Sequence, residues 1–189
     1  MKQSIESTDP YRIVSGEQLQ GMEIRPLTMH RDGRGAFTEV YRDIWNLPLA
    51  DPVQWSVVHS RPGVLRGMHL HWHHDEYYLL LQGRSLVGLY DARPASSTAD
   101  ASVLIELDGR QPSVVSFPTG VLHGWYSIEE TLHLQGVSEN YDDYHPEDNL
   151  GVHWSDPALN IPWPDPNPTV AERADSFPML AQLRAHMFR

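Results

Sequence analysis

Histidine occurs 11 times in this 189-residue chain, and four of the 11 fall within six residues: His69, His71, His73 and His74. His69 and His71 are two apart, so on a β-strand their side chains face the same way. Four residues separate His71 from Glu76, and six separate Glu76 from Gly83. This spacing predicts a strand ending near His71, a turn, and a returning strand that starts at Glu76. Such a hairpin brings both imidazoles and the carboxylate to one point inside a barrel. Further along, Pro118-Thr119-Gly120-Val121-Leu122-His123 offers a fourth group after a tight turn. Three imidazoles and a carboxylate suit one divalent transition metal, such as Fe, Mn, Ni, Cu or Zn. Each of these residues is also explained as a hydrogen-bonded core or substrate-binding group. His73 and His74 fall in the expected turn, where solvation is the expectation.

The elements that must hold these residues are short and β-like. Strands are expected over 36–41, 54–60, 64–71, 76–81, 85–91, 102–107, 113–117, 122–128 and 131–137, many of them alternating or rich in Val, Leu, Tyr and Trp. Turn signals separate them, among them Arg61-Pro62-Gly63, Gln82-Gly83, Asp108-Gly109 and Pro118-Thr119-Gly120. Strands at this spacing with little helical periodicity between them suggest an all-β sandwich or small barrel. One helix is expected, Met179 to Met187, just after Pro178. The run Asn160 to Pro168 holds four prolines and reads as an extended surface segment. The chain is expected to be a single domain: an N-terminal arm over 1–22, a barrel over about 23–158 and an appendage over about 159–189.

Composition removes several kinds of chemistry. There is no cysteine, so disulfides, thiolate zinc sites, iron–sulfur clusters and a cysteine nucleophile are excluded. The formal charge is 14 − 25 = −11, which argues against sequence-independent binding to nucleic acid or an anionic membrane. Any phosphate on a substrate must be held by a few local arginines. No apolar run is long enough to span a bilayer, and the start MKQSIESTDP has no apolar signal segment. A cytoplasmic protein is the expectation.

The spacing of His69, His71, Glu76 and His123 resembles the two motifs of the cupin superfamily. Its first motif is matched at every fixed position, while Ser127 stands where the second usually has Asn. That resemblance implies a cupin jelly-roll, a β-barrel or sandwich, here with a short C-terminal helix. A closer resemblance is to the dTDP-4-dehydrorhamnose 3,5-epimerase family of nucleotide-sugar cupins, over about Glu23 to Leu180. Its segments are matched in order by Asp32-Gly33-Arg34-Gly35-Ala36-Phe37-Thr38-Glu39, by Gly63-Val64-Leu65-Arg66-Gly67-Met68-His69, and by the loop from Asp91 through Arg93 and Ser96 to Thr98. Pro118 to Gly124 matches its glycine-histidine turn, and Trp154-Ser155-Asp156-Pro157 with Ile161-Pro162-Trp163-Pro164 matches its tail.

The resemblance implies a small-molecule substrate, a nucleoside-diphosphate sugar with a 4-keto group, and proton abstraction beside the ketone. It makes His69 the base and Arg66 a contact of the diphosphate. Arg34, Phe37, Glu39 and Gln54 become substrate-site residues, some reaching across a homodimer interface. His123 is a substrate-site residue in the family and a metal ligand in cupins generally. No organic cofactor is expected. Four departures stand out. Glu76 takes the place of a family lysine, and a carboxylate there would repel an enolate. His71 takes the place of a glutamine. Ser138 or Gly136 falls where a tyrosine acid is expected, leaving Tyr126, Tyr141 or Tyr144 as substitutes. The aspartate that supports the catalytic histidine is displaced, with Ala174 at its place and Asp175 beside it. The leading expectation is therefore an epimerase or isomerase of altered mechanism. The alternatives are a metal-dependent cupin enzyme (oxygenase, lyase or isomerase) on another small biosynthetic substrate, and a non-catalytic protein that binds a sugar nucleotide.

Overall fold

Strand β7 (Glu76–Gln82) shows how the architecture arises. Its alternate side chains go to two different apolar clusters. Tyr78 and Leu80 pack with Val87, Ile105 and Phe117, while Tyr77 and Leu79 pack with Val114, Leu47 and Leu49. Both faces of the strand are covered, which is why it reads as a nearly continuous apolar run.

The structure, a computed structural model, describes residues 9–143 and 148–187. The other strands are β1 (Tyr11–Gly16), β2 (Glu23–Pro26), β3 (Met29–Asp32), β4 (Gly35–Thr38), β5 (Gln54–Ser60), β6 (Leu65–Leu70), β8 (Arg84–Asp91), β9 (Ser102–Asp108), β10 (Ser113–Phe117), β11 (Val121–Ser127), β12 (Thr131–Val137) and β13 (Leu150–Gly151). They form a six-stranded sheet, β1-β9-β8-β11-β6-β13, and a five-stranded sheet, β2-β10-β7-β12-β5. Strands β3 and β4 make a separate hairpin. Every pairing between these strands is antiparallel. The two sheets face one another as a jelly roll, with side chains of both filling the space between them.

The C-terminal segment covers the outside of the six-stranded sheet. Two helices, α1 (Glu172–Asp175) and α2 (Leu180–Met187), belong to it. Leu159, Leu180 and Leu183 are buried against Met68, Leu70, Tyr90 and Leu122. Asp156 ties the segment together, accepting from the Ala158 N–H at 2.9 Å and from the Leu180 N–H at 2.6 Å. Its place in the Trp-Ser-Asp-Pro run is thus a capping role.

The expected strands are present, with shifted ends. The predicted strand 36–41 is only Gly35–Thr38, because Val40 turns inward to the cluster on the outer face of β7. Strands β1, β2, β3 and β13 were not expected from the pattern. They are short or largely exposed, so they lack a clear alternation. β1 pairs with β9, so the sheet begins at Tyr11, within the stretch expected to be an arm. The helix expected from Met179 begins at Leu180.

Candidate active site

Strand β6 carries His69, and His71 follows just beyond its end. Two glycines let the chain approach closely here. Gly67 has φ of 131°, and a Cβ there would lie 2.5 Å from the Gly124 Cα of the neighbouring β11. Gly120, at φ 77°, makes the turn into β11, and a Cβ there would meet Arg93 and Trp72 at 2.5 and 2.6 Å. β6 and β11 are thereby held together with His69 opposite His123.

Glu76, at the start of β7, is the hub. Its Oε1 lies 3.4 Å from His71 Nε2, 3.3 Å from His74 Nε2 and 3.3 Å from His123 Nε2. Its Oε2 accepts a hydrogen bond from Gln135 Nε2 at 3.0 Å. His71 and His74 rise from the one turn that precedes β7, His123 from β11 and Gln135 from β12, so the convergence joins a local turn to two distant strands. Backbone carbonyls orient two of the rings: His71 Nδ1 bonds to the Asp148 carbonyl at 2.8 Å and His123 Nδ1 to that of Val121 at 3.1 Å. Both rings therefore turn Nε2 toward Glu76. Phe117 and Trp125 flank His123, with ring centroids 4.9 and 5.9 Å away.

Electrostatics follow from this packing. Burial alone would raise the Glu76 carboxyl, but His123, His74 and His71 hold it well below the usual range. Burial would lower His123, yet Glu76 raises it above the ordinary histidine value. Burial brings His71 down to about 4, despite Glu76. His69 falls to about 3, from burial first and then from His123, so it is neutral at physiological pH.

Of the four candidate metal ligands, His71, Glu76 and His123 present donor atoms within 4.8 Å of one another, whereas His69 is not in that group. The His69 ring lies 6.5 Å from the His71 ring and 5.9 Å from that of His123, packed edge-on to Phe177 at 5.8 Å. The Asp148 carbonyl holds His71 with its Nε2 toward Glu76, whereas His69 lines the neighbouring cavities. His74 corrects the expectation of a solvated turn residue. It is buried, with Nδ1 3.5 Å from Asp148 Oδ2.

Two cavities meet at His69, one of about 470 Å³ and one of about 290 Å³. His69, Gln135 and Arg173 line both. Arg66 lines the larger, its Nε donating to Ser60 Oγ at 2.9 Å. Gln54 and Tyr141 line the smaller, and Gln54 Oε1 accepts the Tyr141 N–H at 2.8 Å. Arg34, Phe37 and Glu39 lie on or just after the β3–β4 hairpin and line neither cavity. Arg34 pairs with Asp32 at 2.6 Å, Phe37 is 65 % exposed, and Glu39 is 3.6 Å from Arg42. Tyr126 does not join the site. On β11 it alternates with the inward His123 and Trp125, and its hydroxyl donates to Asp165 at 3.2 Å on the outer side. Tyr144 lies outside the described residues. Asp175 faces His153 at 3.6 Å rather than His69. Sequence reasoning missed Gln135, His74, Asp148 and Arg173.

The family model for dTDP-4-dehydrorhamnose 3,5-epimerase matches residues 17–182. The chain belongs to this family. It is an enzyme family of the isomerase class, and its epimerases share the cupin jelly-roll seen here. The chain is 30 % identical over 149 residues to the spore coat polysaccharide biosynthesis protein SpsL of Bacillus subtilis, covering 77 % of this chain and 96 % of that one. It is 29 % identical over 143 residues to the dTDP-4-dehydrorhamnose 3,5-epimerase of Escherichia coli, covering 70 % of this chain and 75 % of that one. The crystal structure of a dTDP-6-deoxy-D-glucose-3,5-epimerase from Legionella pneumophila, in complex with dTDP-4-keto-L-rhamnose, superposes with a TM-score of 0.82 at 24 % identity, over 94 % of this chain and 96 % of that one. Among the described residues no helix is long and apolar enough to cross a membrane.

Proposed function

We propose that the protein epimerises a nucleoside-diphosphate 4-keto-6-deoxyhexose at a carbon beside the ketone, with His69 as the base. One observation carries this reading: His69 stands at the junction of both cavities, outside the buried cluster around Glu76. Its imidazole is neutral, the form that accepts a proton. A ketone acidifies the neighbouring C–H, so the base makes an enolate, and a proton returned to the opposite face inverts the centre. Among the tyrosines of the described residues, Tyr141 shares a cavity with His69, and we assign it the returning proton. Arg66, on the larger cavity, suits the diphosphate. The test is exchange with solvent. A 4-keto nucleotide sugar incubated in deuterated water should gain deuterium at C3 or C5, and His69→Ala should abolish the gain. Exchange that persists in His69→Ala removes the assignment of the base.

A second proposal concerns a cofactor. His71, Glu76 and His123 suit a single divalent transition metal, because both imidazoles have Nδ1 engaged by carbonyl oxygens and offer Nε2 beside a carboxylate. Such an ion would supply Lewis-acid charge at the cavity wall. His69 remains outside this donor set, so metal binding and proton abstraction do not compete for one nitrogen.

A third concerns assembly. Strand β5 ends its sheet, and Val57 on it and Val53 just before it are exposed. The β3–β4 hairpin stands apart with Phe37 outward. We propose a homodimer in which the hairpin of one protomer brings Arg34, Phe37 and Glu39 to the substrate site of the other.

A further inference from the structure

Removing a proton beside a ketone leaves a negative charge on the former carbonyl oxygen. Stabilising that charge is commonly the largest catalytic contribution in such a site. Lysine occurs once in the chain, at position 2. A side-chain cation anywhere else is therefore an arginine or a protonated histidine. His123 is spent on Glu76, its Nε2 lying 3.3 Å from Glu76 Oε1. Glu76 itself adds no free negative charge, since three imidazoles and the Gln135 amide surround its two oxygens. The enolate oxygen therefore needs a cation that no carboxylate among the described residues already holds.

Arg173 meets the requirement. It is on α1, and its side chain lines both cavities together with His69, whereas Arg66 lines only the larger. The guanidinium is positioned from two sides. Nη2 donates to the Asn149 carbonyl at 2.7 Å and to Asn149 Oδ1 at 2.8 Å. Its plane carbon stands 5.3 Å from the centre of the Phe177 ring. The same Phe177 ring packs against His69 at 5.8 Å. One aromatic side chain thus packs against both the base and the cation. Two of the guanidinium nitrogens are not used by Asn149, and planar N–H groups of this kind match an oxyanion well.

We propose that Arg173 is a catalytic residue whose guanidinium stabilises the enolate oxygen formed when His69 removes the proton, a charge delivered by the C-terminal segment rather than by the barrel wall. In this step the C–H bond breaks and its proton moves to the His69 imidazole. The electron pair forms the C=C bond, and the carbonyl π pair moves onto the oxygen facing Arg173. Return of a proton to carbon reverses the electron flow, so no oxidant or reductant is needed. The inference rests on the epimerase reading above.

The competing role for Arg173 is to hold the diphosphate, and kinetics separate the two. Steady-state exchange of a dTDP-4-keto-6-deoxyhexose in deuterated water is measured for wild type, Arg173→Gln and Arg173→Lys, with the affinity of each for dTDP alone. Arg173→Gln should lower kcat by about 100- to 1,000-fold while KM and the dTDP affinity change by less than about threefold. Arg173→Lys, which keeps the charge but loses the fork, should recover at least about tenfold of that loss. Asn149→Ala leaves the arginine in place and loosens it; it should lower kcat by a smaller factor and serves if Arg173→Gln folds poorly. An unchanged kcat in Arg173→Gln, or a raised KM with weakened dTDP binding at normal kcat, overturns the proposal while leaving the epimerase reading intact. Wild-type protein that exchanges no deuterium overturns both.

Discussion

At the scale of single residues, Glu76 is the hub of the buried polar cluster beside His69. Read in isolation, a carboxylate in an enolate-forming site is harmful. Surrounded by His71, His74, His123 and Gln135, it becomes the neutralised centre of a buried network. That arrangement supports two different properties, metal binding and pure hydrogen bonding, and elemental analysis separates them. Protein purified without chelators should carry close to one divalent transition metal per chain, and Glu76→Gln should lower the content by at least about tenfold. Metal-free protein after growth in metal-supplemented medium would return the cluster to a structural role. Glu76→Gln should also cost stability in either case. It removes the charge that holds three buried imidazoles, and breaking such a pair costs about 3–5 kcal/mol.

At the scale of elements, the loop that follows β8 explains the family-like run from Asp91 to Thr98 without invoking the substrate. Asp91 accepts from Arg93 Nε at 2.8 Å and Nη2 at 2.7 Å, from Ser96 Oγ at 2.5 Å and from Thr98 Oγ1 at 2.6 Å. Burial pushes its carboxyl up, but these donors outweigh burial and hold it at about 2, below the ordinary 3.8. A carboxyl with a lowered folded-state value stabilises the fold above its unfolded value, and the contribution is lost as pH falls through the folded one. Asp91→Asn should therefore lower Tm at pH 7, and the difference from wild type should shrink progressively between pH 4 and pH 2. A difference that is constant with pH would mean that the loop is held by shape rather than by charge. The C-terminal segment has a different basis, apolar burial. Leu159 is fully buried under the six-stranded sheet, so Leu159→Ala should cost about 2–5 kcal/mol in denaturant unfolding.

At the scale of the whole molecule, the β3–β4 hairpin is the unresolved partner of the fold. It carries three residues expected at the substrate site, yet within one chain it lines neither cavity beside His69. The free β5 edge, Val53, Val57 and the outward Phe37 are exposed, and the proposed homodimer would cover them. Light scattering should give about 43 kDa, twice the 21.5 kDa chain. Val57→Glu, on the outer face of β5, should shift the mass toward that of the single chain and weaken the exchange activity with it. A wild-type mass near 21.5 kDa at micromolar concentration would remove the shared-site arrangement.

The jelly-roll and most of its strands could be read from residue order alone, because strand pattern is local. Alternating Tyr78 and Leu80 against Tyr77 and Leu79 is a period-two signal that needs no partner to be seen. So is the placement of His69 and His71 on one face. Short, exposed strands such as β1, β3 and β13 carry no such signal, since what stabilises them is pairing with distant segments. The site divides in the same way. His71, Glu76 and His123 converge as their spacing foretold, but His69 is outside that group and packs instead against Phe177, a residue far along the chain. Gln135, on a strand that carries no motif, and Arg173, on a four-residue helix, reach His69 only through the closing of two sheets and the return of the C-terminal segment. Side-chain type and periodicity belong to the sequence; which lone pair faces which proton depends on contacts between segments far apart in the chain, and those exist only once it has folded.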